Sequence, residues 1–336
     1  MNHHQQQLLV LPLSDLANGQ EADVFALLTS KEEISTRDGK KFFRVGFRDA
    51  EREVNVPIWS DSPFAQQCRD EWTPGEYYKM RGTFRETVYG PQFEIQLIRP
   101  ARDTDASDGF DPLRLVPHSR FDPAEMFEEL TALAQAEIPH EPLREVVLDI
   151  LLKHRTQLLS LPAATRHHHA FVGGFLEHVL CVTKTCVYLA DKYAAHYPDL
   201  RPPLDKGLVV AGGILHDIGK LRELRQRPQG PEYTAAGNLV GHVLQGRDIL
   251  REAAAGKPLS DELLLRLEHI IVSHQRLPEW GSPKPPMTPE ALLVHYADDV
   301  DAKFNTMHNI LREDQSDASL TSSHNVLRQK IYKGGE

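Results

Sequence analysis

Alternating apolar and polar positions run through the first hundred residues and predict β-strands. The alternation is clearest in Glu53–Trp59, where Val54, Val56 and Ile58 fall on one face of the segment. A short stretch of mixed polarity, Pro63–Trp72, predicts a helix between strands. Strands are predicted over Gln20–Thr29, Lys40–Arg48, Glu53–Trp59, Tyr77–Val88 and Gln92–Ile98.

The order of these elements favours one β-fold. Turn pairs at Asp38-Gly39 and Tyr89-Gly90 mark two hairpins. Three strands, one helix and two strands is the element order of a small five-stranded OB-type barrel. We therefore expect the chain to begin with an all-β OB-type domain.

Beyond this part the apolar period changes to that of helices. Arg102–Pro112 is rich in Asp and Ser with almost nothing apolar to bury, which is typical of a linker. Asp122-Pro123 and Thr288-Pro289 each place a capping side chain before a proline, which marks a helix start. Further helices are predicted over Leu143–Leu161, Phe171–Tyr193, Leu204–Leu221, Ala235–Ala255, Ser260–Leu277 and Pro289–Leu311. The predicted domains are residues 1–101 (OB-type), 102–120 (linker), 121–315 (all-α) and 316–336 (flexible tail).

Composition narrows the class of protein. The 336 residues include 38 Lys plus Arg against 48 Asp plus Glu, a net charge of −10. This balance argues against broad non-specific binding of nucleic acid, but not against a local binding groove. The apolar run Leu8–Leu13 is too short for a signal peptide or a bilayer span. These features predict a cytoplasmic protein without a membrane partner, and they indicate no particular oligomeric state.

Histidine is the unusual component, with 17 residues. Each of the five main helices predicted after Leu161 carries an imidazole or a carboxylate within an apolar stretch. Such buried groups need hydrogen-bond partners or a cation, and a divalent ion would serve the whole set. Imidazole with carboxylate, and no thiolate in the pattern, suits Mn, Fe, Co, Ni or Zn. The candidates are His178, His216, Asp217, His242, His269, His274, His295, Asp298, Asp299 and Asp301.

The sequence around His216-Asp217 gives the strongest signal. It reads Gly-Gly-Ile-Leu-His-Asp-Ile-Gly-Lys, so apolar residues surround an adjacent acid and base. Lys220 lies four residues after His216 and therefore on the same helical face. This spacing lets metal ligands and a cationic phosphate contact converge. A lone helical histidine such as His154 or His308 is more often an ordinary hydrogen-bonded residue.

This segment, with His178 upstream and Asp298 downstream, resembles the HD superfamily of metal-dependent phosphohydrolases. Further motifs are similar to those of YhaM-type 3′–5′ exoribonucleases, a family that also has an N-terminal OB-type nucleic-acid-binding domain. The motifs are His168-His169-Ala170-Phe171-Val172-Gly173-Gly174 with Glu177-His178, Gly237–His242, Glu279–Pro286, and His295-Tyr296-Ala297-Asp298 followed by Asp301-Ala302-Lys303. The resemblance covers most of the chain.

The resemblance implies one or two divalent transition metal ions, with Mn²⁺ favoured. The implied ligands are His178, His216, Asp217 and Asp298 for a first ion, with His242 and His274 for a second. Many members of the family have two adjacent histidines where this chain has His274-Gln275, which puts a second ion in doubt. His269 is interpreted as a partner that orients a ligand, with direct ligation as the alternative.

Roles around the phosphate follow from the chemistry of phosphodiester hydrolysis. Asp217 is the candidate to orient a hydroxide, and Lys220 the candidate to stabilise charge on the phosphate. Further phosphate contacts are predicted at Arg166, His168, His169 and Lys284. The alternative for residues 167–169 is a solvated loop without contact to phosphate. The alternative for the Gly/Pro loop Trp280–Pro286, which contains Lys284, is a simple connection between helices.

One strand of the β-rich part carries a candidate surface for single strands. On Lys40–Arg48, Phe42, Arg44 and Arg48 share one face, which places an aromatic among arginines. Bases stack on exposed aromatics beside basic residues, and Trp59 is a further candidate for this role. The alternative is that each aromatic fills the barrel or covers its end.

The leading hypothesis is a metal-dependent enzyme that removes nucleoside monophosphates from the 3′ end of single-stranded RNA or DNA. An HD-type nucleotide or cyclic-nucleotide phosphohydrolase is the first alternative, although a small substrate needs no strand-binding domain. A nucleic-acid-binding protein with an impaired HD site is the second, and Gln275 is the residue that supports it.

Overall fold

The computed structural model describes residues 9–36, 39–88, 90–165, 169–227, 230–314 and 316–334. It divides into two units, one made of Met1–His118 with Arg227–Gly230 and the other of Ser119–Gln226 with Pro231–Glu336. The first is built on strands and the second mainly on helices, which confirms the predicted fold class. Within the described ranges, no helix is long and apolar enough to cross a membrane.

The first unit is a five-stranded antiparallel barrel. Its strands are β1 (Glu21–Ser35), β2 (Lys41–Arg48), β3 (Glu53–Trp59), β4 (Tyr77–Thr87) and β5 (Gly90–Pro100), with helix α1 (Ala65–Asp70) between β3 and β4. They pair in the order β3-β2-β1-β4-β5, and β3 also comes close to β5. This order, curled so that its edge strands meet, is the OB topology.

The barrel core confirms the predicted alternation. Val54, Val56 and Ile58 of β3 are all buried. Phe47 packs against Trp72 with ring centroids 5.9 Å apart, in an edge-on arrangement that aromatic pairs favour. β1 runs six residues further than predicted, to Ser35, because its second half pairs with β2 while keeping polar, partly exposed side chains.

The second unit is a helical bundle with one small hairpin. The helices are α2 (Pro123–Glu137), α3 (Glu141–Lys153), α4 (Arg155–Leu158), α5 (Gly174–His196), α6 (Lys206–Leu215), α7 (Lys220–Glu223), α8 (Ala235–Val240), α9 (His242–Ala254), α10 (Asp261–Ser273) and α11 (Pro289–Glu313); the strands are β6 (Leu224–Arg227) and β7 (Gly230–Tyr233). Asp122 and Thr288 cap α2 and α11 as predicted, since each side chain accepts a backbone N–H of the first turn. Helix α6 is apolar, buried along most of its length, and packs against α5, α10 and α11.

Three predicted helices are interrupted in the structure. The segment Leu143–Leu161 breaks after Lys153, and Leu204–Leu221 stops at Leu215 before the short helix α7. The segment Ala235–Ala255 breaks at Gly241, whose φ of 79° is outside the helical region. The apolar period continues across each break, so the pattern alone did not reveal them.

Candidate metal centre

The end of α6 fixes the position of His216 and Asp217. The backbone N–H of His216 still donates to the carbonyl of Gly212, after which the chain turns into α7 at Lys220. Since α6 lies inside the bundle, both side chains are held in its interior, where they are less than 3% exposed. A Cβ on Gly219 would collide with the carbonyl oxygen of His242, so glycine is required where this turn meets α9.

Four predicted ligands, two from this turn and one each from α5 and α11, lie close together. His178 Nε2 lies 3.3 Å from His216 Nε2 and 3.3 Å from Asp298 Oδ1. Asp217 Oδ2 lies 3.6 Å from both nitrogens. Atoms bound to one ion at about 2.0–2.2 Å are separated by such distances. These four side chains are the first ligand set.

The other oxygen of Asp217 faces a second group of histidines. Asp217 Oδ1 lies 3.3 Å from His242 Nε2 and 3.5 Å from His274 Nε2. His242 is the first residue of α9 and His274 follows the end of α10. Asp217, His242 and His274 are the second ligand set, and one carboxylate is thus shared by both sets.

Two atoms of the second set lack hydrogen bonds although they are buried among the described residues. Within the described residues, neither Asp217 Oδ1 nor His274 Nε2 makes a hydrogen bond. His274 Nδ1 donates to the carbonyl of Ile271 at 2.7 Å, so its Nε2 carries a lone pair. Leaving such atoms unpaired in the interior costs about 1–3 kcal/mol each. The donor chemistry therefore fits a divalent cation.

A carboxylate orients a ligand histidine in each set. Asp301 Oδ2 accepts a hydrogen bond from His178 Nδ1 at 2.7 Å, and Glu223 Oε1 accepts one from His242 Nδ1 at 3.0 Å. Such contacts fix the ring and direct its Nε2 lone pair at the metal position. Asp301 is among the candidates predicted from the sequence, whereas Glu223 was not predicted. Only the three-dimensional structure shows that Glu223, at the end of α7, reaches His242.

Electrostatics in the site are dominated by burial and by ion pairing. Burial raises the pKa of Asp217, but the Lys220 ammonium, 2.6 Å from Asp217 Oδ2, and the surrounding imidazoles together outweigh burial and hold that pKa well below its usual range. Burial lowers the pKa of His216 to about 4, so this ring is neutral at pH 7, as a ligand must be. Burial also disfavours charge on His178, but its three carboxylate partners raise its pKa well above the usual value. A proton and an ion therefore compete for His178.

Other predicted site residues have different surroundings. His169 is buried beside His178, and its Nε2 lies 3.1 Å from Asp301 Oδ2, so its predicted contact with phosphate stays a prediction. Arg166 and His168 lie outside the described residues. His269 accepts a hydrogen bond from the backbone of Met287 and is in neither ligand set.

An open cavity of about 330 Å³ leads to the second ligand set. Lys220, His242 and Gln275 line it, and Tyr233 and Trp280 are half exposed along the same wall. Lys284 is exposed and does not line this cavity, so the structure does not bring it to the cluster. Trp280 belongs to the predicted Gly/Pro loop, whereas Tyr233 lies on the hairpin β6–β7, which was not predicted.

The predicted strand-binding residues of the β-unit form an exposed aromatic pair. Phe42 on β2 and Trp59 on β3 are register partners, and their ring centroids are 4.7 Å apart. Trp59 is 41% exposed, so the pair offers a face to solvent instead of filling the core. Arg44 is also exposed, and it lies 2.9 Å from a carboxylate oxygen of Glu32.

Both ligand sets lie in a part of the chain that is similar to a known domain. Residues 175–303 match the HD domain, and this range holds every residue of both sets. The β-unit region is similar to the second OB-fold domain of replication protein A from Methanococcus maripaludis, at 16% identity over 28% of this chain and 96% of that one, with a TM-score of 0.22. A crystal structure of a domain of the same protein is similar at 11% identity, over the same shares of both chains, with a TM-score of 0.23.

A further similarity is to RecG bound to a three-way DNA junction, at 12% identity over 47% of this chain and 27% of that one, with a TM-score of 0.24. The strand order of the β-unit is that of an OB fold, and residues 175–303 of the helical unit match the HD domain. HD domains are generally those of metal-dependent phosphohydrolases, and the two ligand sets agree with that chemistry.

Proposed function

We propose that the protein is a metal-dependent 3′–5′ exonuclease that hydrolyses single-stranded RNA or DNA to nucleoside monophosphates. The observation that carries the proposal is the cavity of about 330 Å³ that leads to Lys220 and His242 beside the metal ligands. Its volume is at the lower end of small-molecule sites, so it suits the terminal residue of a strand better than a continuous duplex.

The residues around the cavity have separate tasks in this reaction. A divalent ion held by the ligand sets would polarise the phosphate and make water more acidic. The Lys220 ammonium, held by Asp217, places positive charge where negative charge develops on the phosphate. Asp301 and Glu223 keep His178 and His242 oriented, so the site needs little rearrangement when substrate binds.

The products follow from the bonds that change. The oxygen of water forms a bond to phosphorus, and the bond from phosphorus to the 3′ oxygen of the preceding residue breaks. That oxygen takes up a proton and becomes the new 3′ hydroxyl, while the released residue keeps a 5′ phosphate. Tyr233 and Trp280 would stack on the released base, which is a contact that tolerates every base.

The β-unit would contribute affinity for the strand. Phe42 and Trp59 offer an exposed aromatic face of the kind on which single-stranded bases stack. Arg44 is held by an exposed carboxylate, a weak pair that a phosphate could replace. The net charge of −10 makes non-specific attraction small, so we expect binding to depend on these local contacts and to weaken with salt.

A nucleotide or cyclic-nucleotide phosphohydrolase is the second candidate, and the small volume of the same cavity favours it. An impaired HD site is a weaker candidate, because His178, His216 and Asp217 lie close enough to share one ion, as do Asp217, His242 and His274.

One experiment separates these functions. The protein is stripped of metal, reconstituted with Mn²⁺, and incubated with 5′-labelled single-stranded RNA, single-stranded DNA and a panel of nucleotides. A ladder that shortens from the 3′ end, with nucleoside monophosphates released, is the expected result. Hydrolysis of nucleotides alone would favour the second candidate, and no metal-dependent product would favour the impaired site. Asp217→Asn is the inactive control, and Asp299→Asn on α11 is the matched control, since Asp299 is paired with Lys303.

A further inference from the structure

Gln275 brings an amide to the edge of the second ligand set. It follows His274 directly, and its Nε2 lies 3.0 Å from His242 Nε2. Its backbone N–H donates to Ser282 Oγ at 3.0 Å, which anchors the residue to the loop beyond α10. The residue is therefore held beside the second ligand set by one backbone contact and one side-chain contact.

The hydrogen-bond pattern shows which atoms face each other. His242 Nδ1 carries the proton, because it lies 3.0 Å from Glu223 Oε1. His242 Nε2 therefore has a lone pair, to which the Gln275 amide N–H donates. The same lone pair is needed for an ion placed between His242, His274 and Asp217 Oδ1. An ion in the second set must displace this hydrogen bond.

The Gln275 amide has a second face that suits an ion. A half-turn about its last side-chain bond exchanges the N–H₂ group for the oxygen, and the two groups have nearly the same size. The oxygen would then lie beside a cation instead of the N–H₂ group, which a cation repels. We propose that Gln275 turns in this way and supplies its Oε1 as a ligand of a second ion.

The proposed ligand set has a metal preference. It combines two imidazoles, one carboxylate oxygen and one amide oxygen, from His242, His274, Asp217 and Gln275. Carbonyl oxygens suit Mn²⁺ and Mg²⁺, whereas imidazole suits Zn²⁺ and Ni²⁺. The amide therefore moves the second position toward Mn²⁺. Its hydrogen bond to His242 must break before the second position can fill.

The test counts bound ions in the full-length protein, so it does not depend on activity. Metal-free protein is titrated with Mn²⁺, and free Mn²⁺ is followed by electron paramagnetic resonance. We expect two ions per wild-type chain with separate affinities. Gln275→Leu should keep the first affinity and lose about tenfold or more in the second, as loss of metal-site contacts commonly does. Gln275→Glu, which restores an oxygen ligand, should bind the second ion at least as tightly as wild type.

A control variant and three contrary results make the test decisive. His269→Gln alters the preceding helix α10 outside both ligand sets and should bind like wild type. Unchanged or tighter binding of a second ion by Gln275→Leu would overturn the inference, as would a single ion in wild type. If Gln275→Leu does not fold, weaker second-ion binding by Gln275→Glu overturns it. The inference rests on the metal-binding part of the proposed function, so no Mn²⁺ bound by any variant would overturn that function as well.

Discussion

Lys220 Nζ lies 2.6 Å from Asp217 Oδ2, and both side chains are buried at the junction of the two ligand sets. A buried ion pair is weak evidence for stability, but removing one partner leaves an uncompensated charge. The contact pairs the Lys220 ammonium, which could bind phosphate, with the Asp217 carboxylate, which could bind a metal ion. It also explains how a lysine remains charged inside an apolar bundle.

Replacing Lys220 should destabilise the metal-free protein. Lys220→Met leaves the Asp217 charge without its nearest cation, so we expect a loss of about 3 kcal/mol in the free energy of unfolding. Added Mn²⁺ should restore part of it by binding the native state. Denaturant unfolding with and without Mn²⁺ measures both effects. Lys303→Met, which breaks an exposed pair with Asp299, is the control and should cost less than about 1 kcal/mol. Equal losses in the two variants would contradict this prediction.

The two carboxylates that orient histidines should affect different ions. Asp301→Asn disturbs His178 and should weaken the first ion, whereas Glu223→Gln disturbs His242 and should weaken the second. Loss of such a partner commonly lowers metal affinity by about 10–100-fold. Mn²⁺ titration of each variant checks the assignment. If both variants weakened the same ion equally, the division into two sets would be wrong.

The acid stability of the β-unit should depend on Asp105. Its carboxylate receives two hydrogen bonds from Arg99, at 2.6 and 2.7 Å, which lower its pKa to about 2. Because this pKa is lower than in the unfolded chain, the contribution is complete well above about pH 4 and is lost as the pH falls toward 2. Arg99 is partly exposed, so we expect only about 1–2 kcal/mol.

Unfolding of Asp105→Asn between pH 7 and pH 3 tests this dependence. The difference from wild type should shrink as the pH falls, while the exposed neighbour variant Asp103→Asn should show little difference at any pH. A difference that stayed constant over this range would show that Asp105 acts through something other than its charge.

Trp59 should matter for long substrates and not for short ones. Trp59→Ala removes half of the aromatic pair, and stacking is worth about 1–3 kcal/mol per base, so KM on long strands should rise about fivefold or more. The kcat should not change, because binding is lost equally from ground and transition states. Kinetics on a length series down to dinucleotides measure this. Tyr188→Ala, an exposed aromatic on α5, is the control. An equal change in KM at every substrate length would show that the β-unit does not bind the strand during catalysis.

Periodicity and motif spacing predicted much of this structure. The alternation in Glu53–Trp59 identified β3 to the residue, because one side of that strand is buried and the other is not. Helical spacing and the family resemblance predicted six candidate ligands, and the structure brings their side chains close together. Both signals are local or depend on residue type, so they can be recognised in one sequence.

Contacts between segments that are distant in the sequence could not be predicted from these signals. Glu223 and His242 meet because α7 and the start of α9 are adjacent in space, and nothing in their spacing shows this. Asp105 lies in a segment with linker composition, yet Arg99 holds it buried. His169 belongs to a polar run typical of a loop, but its ring is enclosed. Each depends on a partner that only the folded chain supplies.

Gly219, which has no side chain, also fixes the distance between the His216-Asp217 turn and α9. Main chain touches main chain there, at the carbonyl of His242, with no side chain between them. The separation between the His216-Asp217 turn and α9 is therefore not adjustable by rotamer changes in the surrounding packing. This contact therefore fixes the distance between the two ligand sets. Substitutions in the surrounding residues can change the affinity of either set for an ion while that distance stays the same.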